Sequence, residues 1–336
     1  MDSFGIWSHP NDGYLGRDGS KLDCPSVELH VNLWDIDKGG TGPFVDIGIS
    51  VPDYRAFDRI CLYVPFVVQT GDLEDLSEVL LKNREVANLV FNDNCGVGRA
   101  TSGAGTLERE DREPAIVYEF DAKWGQPPTI SLDSKGRWTI VSFDTTYLRN
   151  YPEVYEQWQK LYLRFRIKTS AIEEELFCNI KQKNGFLESG FEATRVADIK
   201  FNMKRNISSE AIKKMKAEGN CLMTMSSVHF LLIEPANNDV ESYGSESGEC
   251  RKLEDEWSEY LWHGSSKPVG DLLAYHWKRK QRGEDEDPIQ DYAHMARVTR
   301  AATNWWTILV YIAVGIILNM VASGFYELLA RGLTGC

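Results

Sequence analysis

At 336 residues the chain has room for one large domain, or two small ones, together with a membrane anchor. Hydrophobic content of 43% and charged content of 26% are ordinary globular proportions and exclude a wholly disordered chain. A formal charge of -13 excludes a general nucleic-acid coat protein, which needs a net basic surface, but leaves room for a local basic pocket.

The seven cysteines are scattered, odd in number and free of any C-x-x-C pair. They read as reduced thiols of a cytosolic compartment rather than as a disulfide framework. The start, Met1 to Trp7, lacks the basic region and apolar run of a signal peptide, so the body is expected to stay in the cytoplasm.

The first two dozen residues read as loop, punctuated by Gly5, Pro10, Gly13, Gly16 and Gly19. Strands are expected over 27–36, 44–51 and 60–68 from alternation and β-branched content, then a helical stretch from Asp72 to about Asn88. The glycine-rich run 96–105 lacks the Gly-Lys-Ser/Thr ending of a phosphate loop and reads as a flexible loop. Further strands are expected over 115–120, 129–132 and 138–144, the last two joined by a turn at Ser134–Arg137. A short helix over 152–160 then leads into a strand over 161–168. Strands over 195–203 and 227–234 bracket a helix over 208–217. Residues 1–236 thus read as an α+β, β-rich, sandwich-like domain.

Beyond it, 237–256 reads as an acidic linker, 257–283 as an aromatic and basic helical segment, and 284–304 as a hinge and juxtamembrane helix. Asp287-Pro288-Ile289-Gln290 supplies a helix cap, from which one helix is expected to run to Arg331. Such a stalk of roughly 65 Å would lift the body off a membrane. Its lower half, Trp305 to Tyr326, carries no ionised side chain and has an aromatic belt at both ends. At 1.5 Å per residue it reaches about 33 Å, enough to cross a bilayer. Residues 327–336 form a short tail. Arg297, Arg300 and the Lys278–Arg282 cluster lie before the span and only Arg331 after it, which predicts a single-pass protein with a cytoplasmic body.

Gly315, Asn319, Ala322, Ser323 and Tyr326 fall in an arc of roughly 80° on that helix. Small residues allow close approach and a mid-bilayer carboxamide needs a partner, so this face predicts homo-oligomerisation. With that face turned inward, Glu327 would form an acidic ring favouring cations.

The strongest ligand signal is KLYLRFRIK, Lys160 to Lys168. Strand alternation puts Lys160, Tyr162, Arg164, Arg166 and Lys168 on one face, where either acidic neighbours or an anionic ligand must balance the charge. Arginine suits bidentate phosphate contacts and tyrosine suits stacking on a base, so a nucleotide or short nucleic acid is the expected ligand. A second basic concentration holds Arg195, Lys200, Lys204, Arg205, Lys213, Lys214 and Lys216, of which Lys204 and Arg205 are added to the candidate site. Taken singly, each run also fits a solvated face paired with carboxylates. The six histidines show no metal-ligand spacing, and no hydrolase, kinase, zinc-protease or deaminase signature occurs. No enzyme activity, cofactor or metal is therefore expected.

In domain order, a soluble domain followed by the Trp305–Tyr326 span, the chain resembles prokaryotic anti-phage membrane effectors such as Hailong-type channel effectors. No residue motif carries that resemblance. It implies a sensing domain whose clustered helices open a cation-permeable pore in a bacterial inner membrane, in a defence response. The alternative reading is a non-catalytic scaffold that holds a cytosolic protein partner at the membrane.

Overall fold

The computed structural model describes residues 2–11, 13, 26–36, 42–101, 104–110, 112–120, 130–151, 156, 160–180, 192–244, 248–262, 269–283, 286–301 and 305–334. Its largest element is a ten-stranded sheet. The strands run in the order β17 (Gly248–Lys252), β18 (Leu272–Lys280), β15 (Thr224–Pro235), β2 (Ser26–Trp34), β3 (Phe44–Val51), β11 (Lys160–Ile167), β8 (Arg112–Tyr118), β7 (Ala104–Arg109) and β6 (Cys95–Thr101). The short β5 (Leu73–Asp75) also pairs with β11. A five-stranded sheet follows the order β14 (Cys221–Leu222), β1 (Gly5–Pro10), β4 (Phe57–Val64), β10 (Trp138–Asp144) and β9 (Ile130–Lys135). A four-stranded sheet follows β12 (Phe177–Ile180), β13 (Glu192–Phe201), β19 (Tyr292–Ala301) and β16 (Asp239–Ser242).

Period-two alternation makes the layers. Val45, Ile47, Ile49 and Val51 on β3 and Leu161, Leu163, Phe165 and Ile167 on β11 share one buried face. That face meets Leu62, Val141 and Phe143 of the five-stranded sheet and Ile199, Phe201 and Val298 of the four-stranded one in a single core. The opposite face of the large sheet is partly covered by α1 (Ser77–Lys82), α2 (Arg84–Phe91) and α5 (Trp257–Trp262), with Trp34, Tyr162, Trp257 and Tyr260 in a second cluster. The remaining helices are α3 (Ala171–Leu176), α4 (Ser209–Ala217) and α6 (Trp305–Thr334). The expected β-rich body is therefore present, built from several sheets, and β3 and β10 have the bounds expected of them.

Several expectations are corrected. Residues 292–301 form a strand, not a stalk helix: Tyr292, His294, Ala296 and Val298 alternate with more exposed residues, and ten consecutive residues pair with β13. Ile289, expected inside a helix, instead bridges Met225 as isolated β structure. Residues 272–280 likewise pair along β15 rather than forming a helix. The acidic linker contributes two exposed edge strands, β16 and β17, and the glycine-rich run 96–105 is a β6–β7 hairpin. Residues 5–10 form a strand, and the helical stretch from Asp72 divides into β5, α1 and α2. Most of the helix expected over 152–160 lies outside the described residues.

The helix α6 carries an exposed apolar segment, Ile308–Tyr326, with mean hydropathy 2.2 and none of it buried against the body. It is long and apolar enough to cross a membrane, and the lack of any buried residue in that segment separates it from a mostly buried core helix. Only four residue steps separate Ala301, the last residue of β19, from Trp305. At 3.8 Å per step the sheet end lies within about 15 Å of the start of the helix.

Lys278, Arg279 and Lys280 belong to β18, while Arg300 and Arg297 face Asp35 and Glu241 at 3.1 and 3.6 Å. Cys61, Cys95, Cys178 and Cys250 are free thiols, but Cys221 is disulfide-bonded, which departs from a uniformly reduced set.

Candidate anion-binding site

On the face of the large sheet turned away from the sandwich core, the strand registers bring polar residues into rows. Lys278 pairs with His229, His229 with His30, His30 with Gly48, and Gly48 with Arg164. Two residues along, His276, Leu231, Asn32, Asp46 and Arg166 form the next row. Gly48 supplies space here. A Cβ on it would lie 2.9 Å from Arg164 Nη1 and closer still to the Tyr162 hydroxyl, so both side chains cross over the β3 backbone only because it is glycine. Gly48→Ala is expected to displace both, cost about 1–3 kcal/mol by overpacking, and weaken ligand binding at least about tenfold. Thermal denaturation and ligand titration of that variant check it.

The charges of β11 are settled differently from one another. Asp46, fully buried, accepts hydrogen bonds from Trp34 Nε1 at 2.7 Å, Tyr260 Oη at 2.9 Å, and Arg166 Nε and Nη2 at 2.7 and 3.2 Å. Arg166 also lies 3.6 Å from Glu74, with its guanidinium 4.4 Å from the Phe44 ring centre, so it is a structural ion pair. Lys160 faces Glu28 at 3.8 Å. Arg164 is 1% exposed and donates from Nε to Tyr260 Oη at 2.9 Å, yet its Nη2 has no hydrogen-bond partner among the described residues. Burial works against its charge, but Tyr260, Tyr162 and Asp46 outweigh burial and hold the guanidinium above its ordinary pKa.

Arg164 lines a cavity of about 1250 Å³. The floor is His30, Asn32, His229 and His276. One wall is the C-terminal turn of α2, Leu89 to Asn92, with Arg109 and Arg112 from the β7–β8 hairpin. The other wall is Lys278, Arg279 and Lys280 of β18, with Arg282 just beyond and Arg251 on β17. Eight arginine and lysine side chains thus line the cavity against two carboxylates, Glu249 and Glu286. Lys278, Arg279, Lys280 and Arg282 make no ion pair among the described residues. In a chain of net charge -13, this is strong segregation of positive charge into one concavity.

The floor histidines touch. His229 Nδ1 lies 3.2 Å from His276 Nε2, the His30 and His229 ring centres are 5.0 Å apart, and His30 Nδ1 is 3.3 Å from the Tyr162 hydroxyl. Burial is the main force holding all three below the ordinary histidine pKa, with nearby cations adding to it. For His229, burial followed by Lys278 and His276 brings it down to about 3. At neutral pH the floor therefore offers neutral imidazoles, each with one N–H donor and one acceptor nitrogen. Three neutral imidazoles are competent metal donors, but the adjacent Arg164 and Lys278 oppose a cation, and no metal-holding group occurs among the described residues.

No family model matches the chain, and no curated protein matches it. Among solved structures, the mu homology domain of Fcho1 from Danio rerio, with bound Eps15 peptide, aligns over 83% of this chain and 80% of that chain. The identity is 9% and the TM-score 0.15, a likeness that carries no argument.

The residues expected to bind ligand do not assemble in one place. Arg164 lines the basic cavity. Tyr162 is 1% exposed, packed beneath Phe91 with ring centres 4.9 Å apart, so it supports the floor rather than stacking on a ligand. Lys168 lines a separate cavity of about 670 Å³ beside Asp72, Glu173, Arg195 and Arg300. Lys204 and Arg205 sit in a one-turn 3-10 helix and line neither cavity. The rest of the second basic concentration is largely paired: Arg195 with Asp35 and Glu173, Lys200 with Asp198, Lys214 with Asp133 and Glu218. Sequence reasoning passed over the rim of β18 and the three histidines. The rim's signal, HWKRKQR from His276 to Arg282, reads in the sequence as part of an aromatic and basic helical segment, and nothing local links it to His30 or His229.

Proposed function

We propose that the chain is a membrane-anchored sensor whose β-rich domain binds an anionic ligand, a nucleotide or short oligonucleotide, in this cavity. The observation that carries the reading is the eight-to-two excess of cationic over anionic side chains around a concavity of ligand size. Such an excess is electrostatically unfavourable when empty and is relieved by a polyanion. On this reading α6 is the output element. Gly315, Asn319, Ala322, Ser323 and Tyr326 are all exposed on this helix. Copies cluster through that face, and a cation-permeable pore past Glu327 is the most specific form of the output.

Calorimetric titration of the detergent-solubilised full chain with nucleotides and short oligonucleotides tests the ligand. Binding in the wild type, weakened at least about a hundredfold in Arg109→Glu/Lys280→Glu by reversal of two wall charges, is the expected result. Absence of heat with every probe would retire the sensor reading in favour of a scaffold.

A further inference from the structure

We infer that the cavity floor is a subsite for a terminal phosphate group, built from Arg164, His229, His276 and Asn32, so that the ligand is a phosphomonoester or an oligophosphate with a free end. This deepens the reading of the cavity as an anion site and rests on it.

The walls and the floor differ in kind. Arg112, Arg251, Lys278, Arg279 and Lys280 are exposed, and Arg112 and Arg251 each lie 3.9 Å from a carboxylate. They attract anions from a distance and are screened by salt. The floor is recessed beneath them. Asn32 is 4% exposed and Arg164 1%, while His229 and His276 are half-buried. A buried guanidinium N–H without an acceptor costs about 1–3 kcal/mol, and Arg164 Nη2 is such a group. An acceptor that reaches the floor recovers that cost.

Shape then selects the acceptor. An internal phosphodiester carries a substituent on two of its four oxygens and cannot seat its remaining oxygens at the bottom of a recess without burying both flanking groups. A terminal phosphoryl group presents three unsubstituted oxygens and enters end-on. Its oxygens match the donors present: the forked Arg164 guanidinium, an N–H from His229 or His276, and the Asn32 carboxamide. The groups facing His229 are His30 on β2, His276, Lys278 and Lys280 on β18, and Arg112 on β8, none of them acidic. Glu249 on β17 faces His276 from the outer side. Neutral imidazoles among cations donate to phosphate without adding charge that would have to be desolvated first.

Pyrophosphate and trimetaphosphate form a matched pair of probes. They carry similar charge near neutral pH, but only pyrophosphate has a terminal phosphoryl group. Titrated into the full chain, pyrophosphate is expected to bind at least about tenfold tighter, and the preference is expected to vanish in Arg164→Lys/His229→Gln while wall binding persists. Because Arg164 is buried, the wild type supplies a second readout: pyrophosphate, not trimetaphosphate, should shift the ring-nitrogen resonances of His229 and His276. Equal affinities for the two probes, or a preference that survives in the variant with unmoved histidine resonances, would overturn the floor subsite and leave the anion cavity standing. If neither probe binds, both readings fall.

Discussion

Asp46→Ala is expected to lower the stability of the soluble domain by about 3–5 kcal/mol, enough to unfold a marginal protein. The carboxylate is fully buried and is the common acceptor for Trp34 on β2, Arg166 on β11 and Tyr260 on α5. Its removal strands the Arg166 guanidinium, 3% exposed, with Glu74 at 3.6 Å as its remaining acidic neighbour. It also leaves Trp34 Nε1 and Tyr260 Oη without the carboxylate to which they donate. Asp46→Asn keeps one acceptor oxygen and removes the charge, and should fall between the wild type and alanine. Urea unfolding of the three proteins measures the order; an alanine variant within about 1 kcal/mol of wild type would show that the network is incidental. The same substitution reaches the ligand site, because Tyr260 holds Arg164 from one side and Asp46 from the other.

Acidification from pH 8 to pH 5 is expected to destabilise the unliganded protein by at least about 1.5 kcal/mol, well before ordinary carboxylates titrate. The native state holds His229 down at about 3 and His294 at about 4, each chiefly by burial, and holds His30 well below 6.5 by burial and then His229 and Arg164. The unfolded chain takes up protons at these three sites below pH 6.5 and the native chain only at lower pH, so His229 and His294 each cost about 2 kcal/mol by pH 5 and His30 adds in the same direction. Glu234 acts in the opposite sense. Burial raises it to about 7, so the native state takes up a proton between pH 7 and the ordinary carboxylate range, which returns about 2.5 kcal/mol by pH 5. The histidines win by number. Thermal midpoints at pH 8, 6.5 and 5 in high salt give the slope, and His229→Leu should flatten it; a midpoint that rises toward pH 5 would contradict neutral floor histidines.

What the sequence disclosed follows physical range. Strands with strict alternation and β-branched faces, Phe44–Val51 and Trp138–Asp144, were legible because period two is a local property. The membrane-compatible helix was legible because length and hydropathy need no partner. Residues 292–301 were misread because Asp287-Pro288 mimics a helix start, while the competing strand exists only through pairing with residues about 100 positions earlier. Arg164 was found and its role separated from that of Arg166 only by structure, since the two differ in whether a carboxylate from β3 stands opposite. The histidine floor was not legible at all. It requires the parallel pairing of β2 with β15, which brings His30 beside His229 across nearly 200 residues.

The join between body and anchor has a mechanical consequence. The strand leading to α6 is not an edge: β19 lies between β13 and β16, with a ten-residue register on one side and four on the other. On the proposed reading of α6 as a clustering anchor, a pull on it would load that strand along its own axis. The ladder bonds on both sides then resist together in shear, rather than opening one at a time as in peeling. With a leash of only four residue steps, little of the motion is lost as slack. Displacement of that helix would reach a strand whose Val298 and Ala296 belong to the same core as the inner face of the large sheet.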